Sequence, residues 1–293
     1  MNKLGIFMNF WEKNWDADHK KYIKIASKLG FDVLEFQAQP LLEMSDDYLL
    51  ELKKIADDEN IELTYSLGLD KAYDISSDDK AIREKGIEYL KKIMKKVSVM
   101  GGKLISGVSY AGWGVPEIED ICKERLRDNS ISSMKELVKI AKELDILYAV
   151  EAVNRFEGVV INTAKDALDY VNAVDSENIG ILLDTYHMNI EEFSIKDAIK
   201  TAGEKLIGFH VGENNRSVPG RGHLNWDEIF SALKEVNYKG RIVAEPFVVR
   251  GGDVGRDIFV WRDLVDNTSE ESLDKEALFM LEFEKKMLKK WEM

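Results

Sequence analysis

Leu147-Tyr148-Ala149-Val150-Glu151-Ala152-Val153-Asn154-Arg155-Phe156-Glu157 is an apolar run that meets a carboxylate and then breaks into polar residues. A short continuous apolar run suits a strand buried on both faces, as in a parallel sheet. The same design recurs along the chain. Strand candidates lie at 5–8, 32–36, 61–67, 103–108, 147–153, 179–184, 206–213 and 240–247, which makes eight. Between them the apolar spacing turns helical, as in Ile82, Gly86, Leu90, Ile93, Val97 and Met100. Tyr22, Ile25, Ala26 and Leu29 repeat that spacing early, and Met134, Leu137, Val138, Ala141 and Leu144 repeat it midway. Leu29-Gly30-Phe31 reads as a glycine C-cap closing the first helix.

Strands that alternate with helices imply right-handed parallel crossovers. Eight such units are expected to close into a (β/α)8 TIM barrel, one catalytic domain over residues 1–293. The alternative is an open doubly wound sheet. No Gly-x-Gly-x-x-Gly follows the first strand, which removes the dinucleotide-binding version of it.

Barrel enzymes carry their chemistry at the C-terminal ends of strands. The fifth candidate runs into Glu151, the sixth into Asp184, the seventh into His210 and the eighth into Glu245. One such acid alone could be a helix cap or a salt-bridge partner. Four in register, about one βα unit apart, read as a divalent-metal site. Three carboxylates and one imidazole suit Mn²⁺, Co²⁺ or Mg²⁺ better than a sulfur-rich zinc centre. Asn154, Arg155, Glu157, His187, Glu213, Asn215 and Arg216 crowd the same ends, with solvated loops as the plainer alternative. His19 reads as a surface residue on the polar side of the first helix. His223, in a Gly-rich loop, stays unassigned.

The formal net charge of −13 argues against a nucleic-acid partner, since duplex binding depends on Lys and Arg displacing counterions. Apolar residues at 45% and charged residues at 32% describe a globular chain, and no apolar run approaches the ~20 residues that span a bilayer. The segment 4–8 is too short, and too soon followed by charge, for a secretory signal. Cys122 is the only cysteine, so no intrachain disulfide forms and a cytoplasmic location is expected.

Several segments resemble the D-tagatose 3-epimerase family, which includes the D-psicose (D-allulose) 3-epimerases. Glu151-Ala152-Val153-Asn154-Arg155-Phe156-Glu157 is similar to its E-V-x-N-R-F-E. Leu183-Asp184-Thr185-Tyr186-His187-Met188-Asn189-Ile190-Glu191-Glu192 resembles L-D-T-F-H-M-N-I-E-E, and His210-Val211-Gly212-Glu213-Asn214-Asn215-Arg216 resembles H-x-G-E-x-N-R. Pro219-Gly220-Arg221-Gly222, Glu245-Pro246-Phe247 and Val260-Trp261-Arg262-Asp263 add further matches, so the resemblance spans nearly the whole chain.

The resemblance implies inversion at C3 of a free ketohexose or ketopentose through a cis-enediolate, with one Mn²⁺ or Co²⁺ per subunit. Glu151 and Glu245 then both ligate the metal and form the acid/base pair, while Glu157, His187 and Arg216 contact the sugar. It also implies a homodimer or homotetramer, to which the apolar side of the last helix (Leu278, Leu281, Leu288, Trp291) could contribute; a barrel-covering role is the alternative for that stripe. Phe7, Trp15, Leu67, Val108, Trp113 and Phe247 are expected to wall the sugar's distal carbons, although Leu67 and Val108 could equally be barrel core. Tyr186 stands where the family more often has Phe. Ser66-Leu67 and the loop Gly112-Trp113-Gly114-Val115-Pro116 also depart from the family's pattern, which leaves the preferred ketose open.

Three other readings use similar parts. A keto–aldose isomerase or sugar-phosphate epimerase could share the ligands, but a phosphate would want a basic cluster, and only Arg216 and Arg221 stand near the expected mouth. A metal-dependent endonuclease on the same barrel would need more than the four histidines present. A non-catalytic sugar-binding barrel would not need two acids on its metal.

Overall fold

The computed structural model describes residues 2–116 and 120–293. Eight parallel strands form a closed barrel in sequence order: β1 (Leu4–Phe7), β2 (Val33–Gln37), β3 (Glu62–Leu69), β4 (Leu104–Gly112), β5 (Leu147–Ala152), β6 (Ile179–Asp184), β7 (Leu206–Val211) and β8 (Arg241–Ala244). Closure is made by β1 against β8, with Leu4 opposite Ile242 and Ile6 opposite Ala244. The barrel read from the sequence is the one observed.

Among the described residues ten α-helices accompany the strands: α1 (His19–Leu29), α2 (Asp46–Asp58), α3 (Lys80–Val99), α4 (Lys123–Glu143), α5 (Ala164–Val174), α6 (Thr185–Glu191), α7 (Ile195–Ala202), α8 (Trp226–Glu235), α9 (Gly252–Asp257) and α10 (Glu270–Trp291). Local chemistry fixes many of their ends. The Asp18 carboxylate accepts from Lys21 N–H to start α1, and Gly30 closes it at φ +91°, the left-handed conformation that favours glycine. Ser45, Thr163, Ser194 and Asn225 cap α2, α5, α7 and α8 in the same way.

Most of the apolar core lies between barrel and helices, where Ile6 and Leu34 of the strands share one cluster with Ile23, Leu52 and Leu90 of the helices. A separate small cluster joins Leu104, Ala149 and Leu182 of β4, β5 and β6. A third, built on Phe7, Phe247, Val254, Ile258 and Val260, is flanked by Trp15 and Trp113.

Two readings change, and one that stood open is decided. His19 is buried, 2% exposed, with its ring edge-on to Phe36 at 4.7 Å between centroids. It shares a helical face with Tyr22, Ile23 and Ala26, so its position in the turn outweighed its polarity. β7 and β8 end before 213 and 247: Glu245 N–H still bonds Val211 O, but Pro246 has no N–H with which to continue the ladder. In α10, Leu281 and Leu288 are buried, Trp291 is half-buried and Leu278 is exposed, so the stripe covers the barrel for most of its length.

Candidate metal centre and sugar pocket

Glu151 stands near the end of β5, Asp184 ends β6, His210 lies near the end of β7 and Glu245 follows β8. All four are buried, and one ligand atom from each lies within 4.8 Å of the others. Asp184 does also serve as a helix cap, its Oδ1 accepting from the N–H groups of Tyr186 (2.6 Å) and His187 (3.1 Å). A carboxylate has a second oxygen, so cap and metal ligand are compatible.

The charge balance asks for a cation. Glu35, Glu151, Glu157, Asp184 and Glu245 are buried together, and Arg216 already pairs with Glu157 at 3.1 Å. Glu151 Oε1 and His210 Nδ1 are buried without a hydrogen-bond partner, an expensive state that a shared metal ion relieves. Without a cation, protons must fill that place. Burial first, then the charge of Glu245, pushes Glu151 well above the usual carboxylate range and Asp184 up to about 6. Burial would strip His210 of its proton, but the carboxylates of Glu35 and Glu245 prevail and hold it charged. The set fits a divalent ion.

Glu35 was not singled out from the sequence. It sits on β2, 1% exposed, with Oε1 2.9 Å from His210 Nε2. Its other oxygen accepts from Thr64 Oγ1 (2.9 Å) and Ser106 Oγ (3.2 Å). Because Nε2 faces Glu35, His210 presents Nδ1 to the cluster, and a carboxylate behind an imidazole in this way fixes the ring for metal binding. The signal was present in Val33-Leu34-Glu35-Phe36, a lone carboxylate inside an apolar strand.

A second polar layer adjoins the four. Arg216 lies 3.7 Å from Glu245 and is sandwiched by the rings of Tyr186 (4.7 Å) and Phe247 (4.9 Å). Its backbone is left-handed at φ +64°, held by bonds from Arg216 N–H to Glu213 O and from Phe247 N–H to Arg216 O. Residues other than glycine tolerate that conformation only when their surroundings impose it, and such sites cluster at functional positions. Burial pushes Glu157 up, yet the Arg216 guanidinium and the bond from Asn154 outweigh it and hold it below the usual range. His187 is 1% exposed, and burial pushes it down to about 3, so it is neutral. Backbone N–H of Asn154 donates to its Nδ1 at 3.2 Å, which leaves the proton on Nε2, 3.5 Å from Glu151.

A cavity of about 530 Å³ opens over Glu151, Arg216 and Glu245; Glu157 and His187, expected to contact the sugar, do not line it. Phe7, Trp15, Leu67, Val108, Trp113 and Phe247 all line it. Leu67 and Val108 are only 1% exposed, but what they expose faces the cavity. Of the four clustered ligands, Glu151 and Glu245 reach the cavity wall; Asp184 and His210 do not.

The other candidates fall outside. Arg155 is exposed and pairs with Glu191 at 2.9 Å. Glu213 accepts from Gly220 N–H and Trp226 Nε1, which holds a loop. Arg221, expected near the mouth, pairs with Glu276 instead, and the second cation on the cavity wall is Lys71. His223 is exposed.

The fold defines a xylose isomerase-like TIM barrel whose buried four-residue site fits a divalent ion, and a family model described as a xylose isomerase-like TIM barrel matches residues 23–279. The D-psicose 3-epimerase of Ruminiclostridium cellulolyticum is 42% identical over 286 residues, covering 98% of each chain. A crystal structure of a D-psicose 3-epimerase in the presence of D-fructose superposes with a TM-score of 0.95 at 38% identity, covering 98% of this chain and 99% of that one. A D-psicose 3-epimerase from Clostridium cellulolyticum H10, solved with D-tagatose, gives a TM-score of 0.95 at 42% identity, with the same coverage. The chain belongs to the ketose 3-epimerase family of isomerases.

Proposed function

We propose that this protein interconverts the C3 epimers of free ketoses, pairs such as D-fructose/D-psicose or D-tagatose/D-sorbose, with Glu151 and Glu245 as its two acid/base groups. The observation that carries this reading is that these two of the four ligand-type residues also line the cavity. A divalent ion held by Glu151, Asp184, His210 and Glu245 would lower the energy of the negative charge that develops as C3 loses its proton.

The rest is the work of side chains. One glutamate takes the C3 proton from one face, and the bonding electrons move toward C2, placing charge on O2. The Arg216 guanidinium and the Nε2–H of His187 are preorganised donors for that charge. The other glutamate delivers a proton to the opposite face, and C2=O re-forms. Nothing is oxidised overall. Glu157 contributes by fixing Arg216 and, through Asn154, the ring of His187.

Mn²⁺ is the preferred ion, with Co²⁺ or Mg²⁺ as substitutes, one per subunit, since oxygen-rich sites with one imidazole suit these metals. Free ketohexoses and ketopentoses are the substrates, and the apolar wall supports acceptance of several, because apolar contacts discriminate hydroxyls weakly. Residues 1–293 act as one catalytic domain. A homodimer or homotetramer is supported by exposed Phe193, Phe259 and Trp261. Cytoplasmic residence is supported by the lone thiol of Cys122; among the described residues, no helix is long and apolar enough to cross a membrane. The test incubates metal-stripped protein with a panel of free ketoses, with and without Mn²⁺, and separates the C3 epimers. Metal-independent turnover, or products altered only at C1 and C2, would refute the reading.

A further inference from the structure

The cavity is larger than a free ketose. Even at a liquid water's share of about 30 Å³ per non-hydrogen atom, a ketohexose would take about 360 Å³ at most, against about 530 Å³ available. The excess has a direction. The charged end of the cavity, Glu151, Arg216 and Glu245, comes from β5, the loop after β7 and the residue after β8. The same cavity continues past Leu67 and Gly68 to Gln37, Gln39, Asp70, Lys71 and Tyr89, on β2, the turn after it, the segment after β3, and α3. This arm gives the distal carbons of a sugar held between Glu151 and Glu245 room to extend.

The arm is lined with groups suited to a pyranose ring. Tyr89 is half-buried and stacked on Tyr73 at 4.0 Å, so its ring is a braced platform. The Gln37 side chain makes no hydrogen bond among the described residues. Gln39 donates to Gly68 O at 2.7 Å, but its Oε1 is buried without a partner. Asp70 is exposed, and one of its oxygens caps Ala72 N–H at 2.8 Å. An aromatic ring, amides and a carboxylate on one cavity wall are the kinds of group that bind a second sugar.

We infer that this arm is a subsite for a sugar unit attached to the distal hydroxyl of the ketose, so that the enzyme also epimerises C3 of 6-O-glycosyl ketoses. The inference rests on the ketose 3-epimerase reading, and the reaction at C3 is unchanged: one C–H bond breaks and one forms.

The experiment compares D-fructose with 6-O-α-D-glucopyranosyl-D-fructose on the Mn²⁺-loaded protein and on two variants, Tyr89→Ala and Asp70→Asn. Asparagine keeps the oxygen that caps Ala72. Both sugars should be turned over, and each variant should lower kcat/KM for the glycosylated ketose by roughly tenfold while leaving D-fructose within about twofold. Turnover of D-fructose with neither turnover of nor competition by the glycosylated ketose overturns the inference and leaves the epimerase reading standing. Turnover of the glycosylated ketose that both variants leave untouched also overturns the subsite. If neither sugar is turned over, both readings fall.

Discussion

Glu151 and Glu245 carry two duties in the proposed reaction, and their separate positions on β5 and after β8 make those duties separable. Glu151→Gln and Glu245→Gln should each lower net epimerisation by about 10²- to 10⁴-fold, the usual weight of a general acid or base. In deuterated water each variant should still exchange the C3 proton of one epimer, and of opposite epimers, because the remaining glutamate serves its own face. Metal content is measured first; a metal-replete variant that epimerises near the parent rate excludes the two-base scheme. Glu35 acts one step back. Glu35→Gln keeps the side chain's shape but removes the charge facing His210 Nε2, so Mn²⁺ affinity should weaken by roughly 10- to 100-fold. A direct metal titration reads this, and an unchanged dissociation constant would reduce Glu35 to packing.

At the scale of elements, close approach decides what propensity cannot. Gly86 interrupts α3, and helix propensity alone favours alanine there by about 1 kcal/mol. A Cβ at Gly86 would stand 2.1 Å from the carbonyl oxygen of Tyr73, which ends the short turn Lys71–Tyr73. Relieving that contact means separating helix from turn, and such overpacking costs about 1–3 kcal/mol. Gly86→Ala is therefore expected to lower Tm; an equal or higher Tm would mean that the turn yields freely. β4 shows a related constraint. Gly107 has φ +92°, and an added Cβ would meet Leu67 O at 2.5 Å, so β4 adopts this backbone beside the cavity only because the residue lacks a side chain.

For the whole molecule, the metal centre links folding to pH. Without a cation Asp184 is pushed up to about 6 from 3.8, so the folded protein holds a proton that the unfolded chain releases. That contribution to stability is present below about pH 3.8 and is lost as pH rises through about 6. A bound cation has the opposite dependence, since it must displace the proton at low pH and meets a free carboxylate at high pH. The rise in Tm caused by Mn²⁺ should therefore be small near about pH 5 and larger near about pH 7.5. Differential scanning calorimetry with and without Mn²⁺ checks it; a rise that is flat or shrinking over that range would contradict the assignment of Asp184 as a ligand. Chelation should abolish turnover, and Mn²⁺ or Co²⁺ should restore it.

The eight-fold alternation, the strand ends and the four ligand-type residues were legible in the linear chain because they depend on local periodicity. A run that alternates between strand and helix must build parallel crossovers, and each crossover returns the next strand end to the same rim. Position alone brought Glu157, His187 and Arg216 to the same ends among other polar residues, and only the resemblance gave them roles. Other features are settled only by which strands become neighbours. Glu35 lies far from His210 in the chain and meets it only because both project from the closed barrel at related heights. His19 looked exposed by its chemistry and is buried by the turn of its helix. Tyr89, Asp70 and Gln39 come from three separate elements and share one cavity wall only after the barrel closes. Local pattern sets the elements and the rim, but distances between side chains on different strands follow from register and closure, which are properties of the assembled sheet.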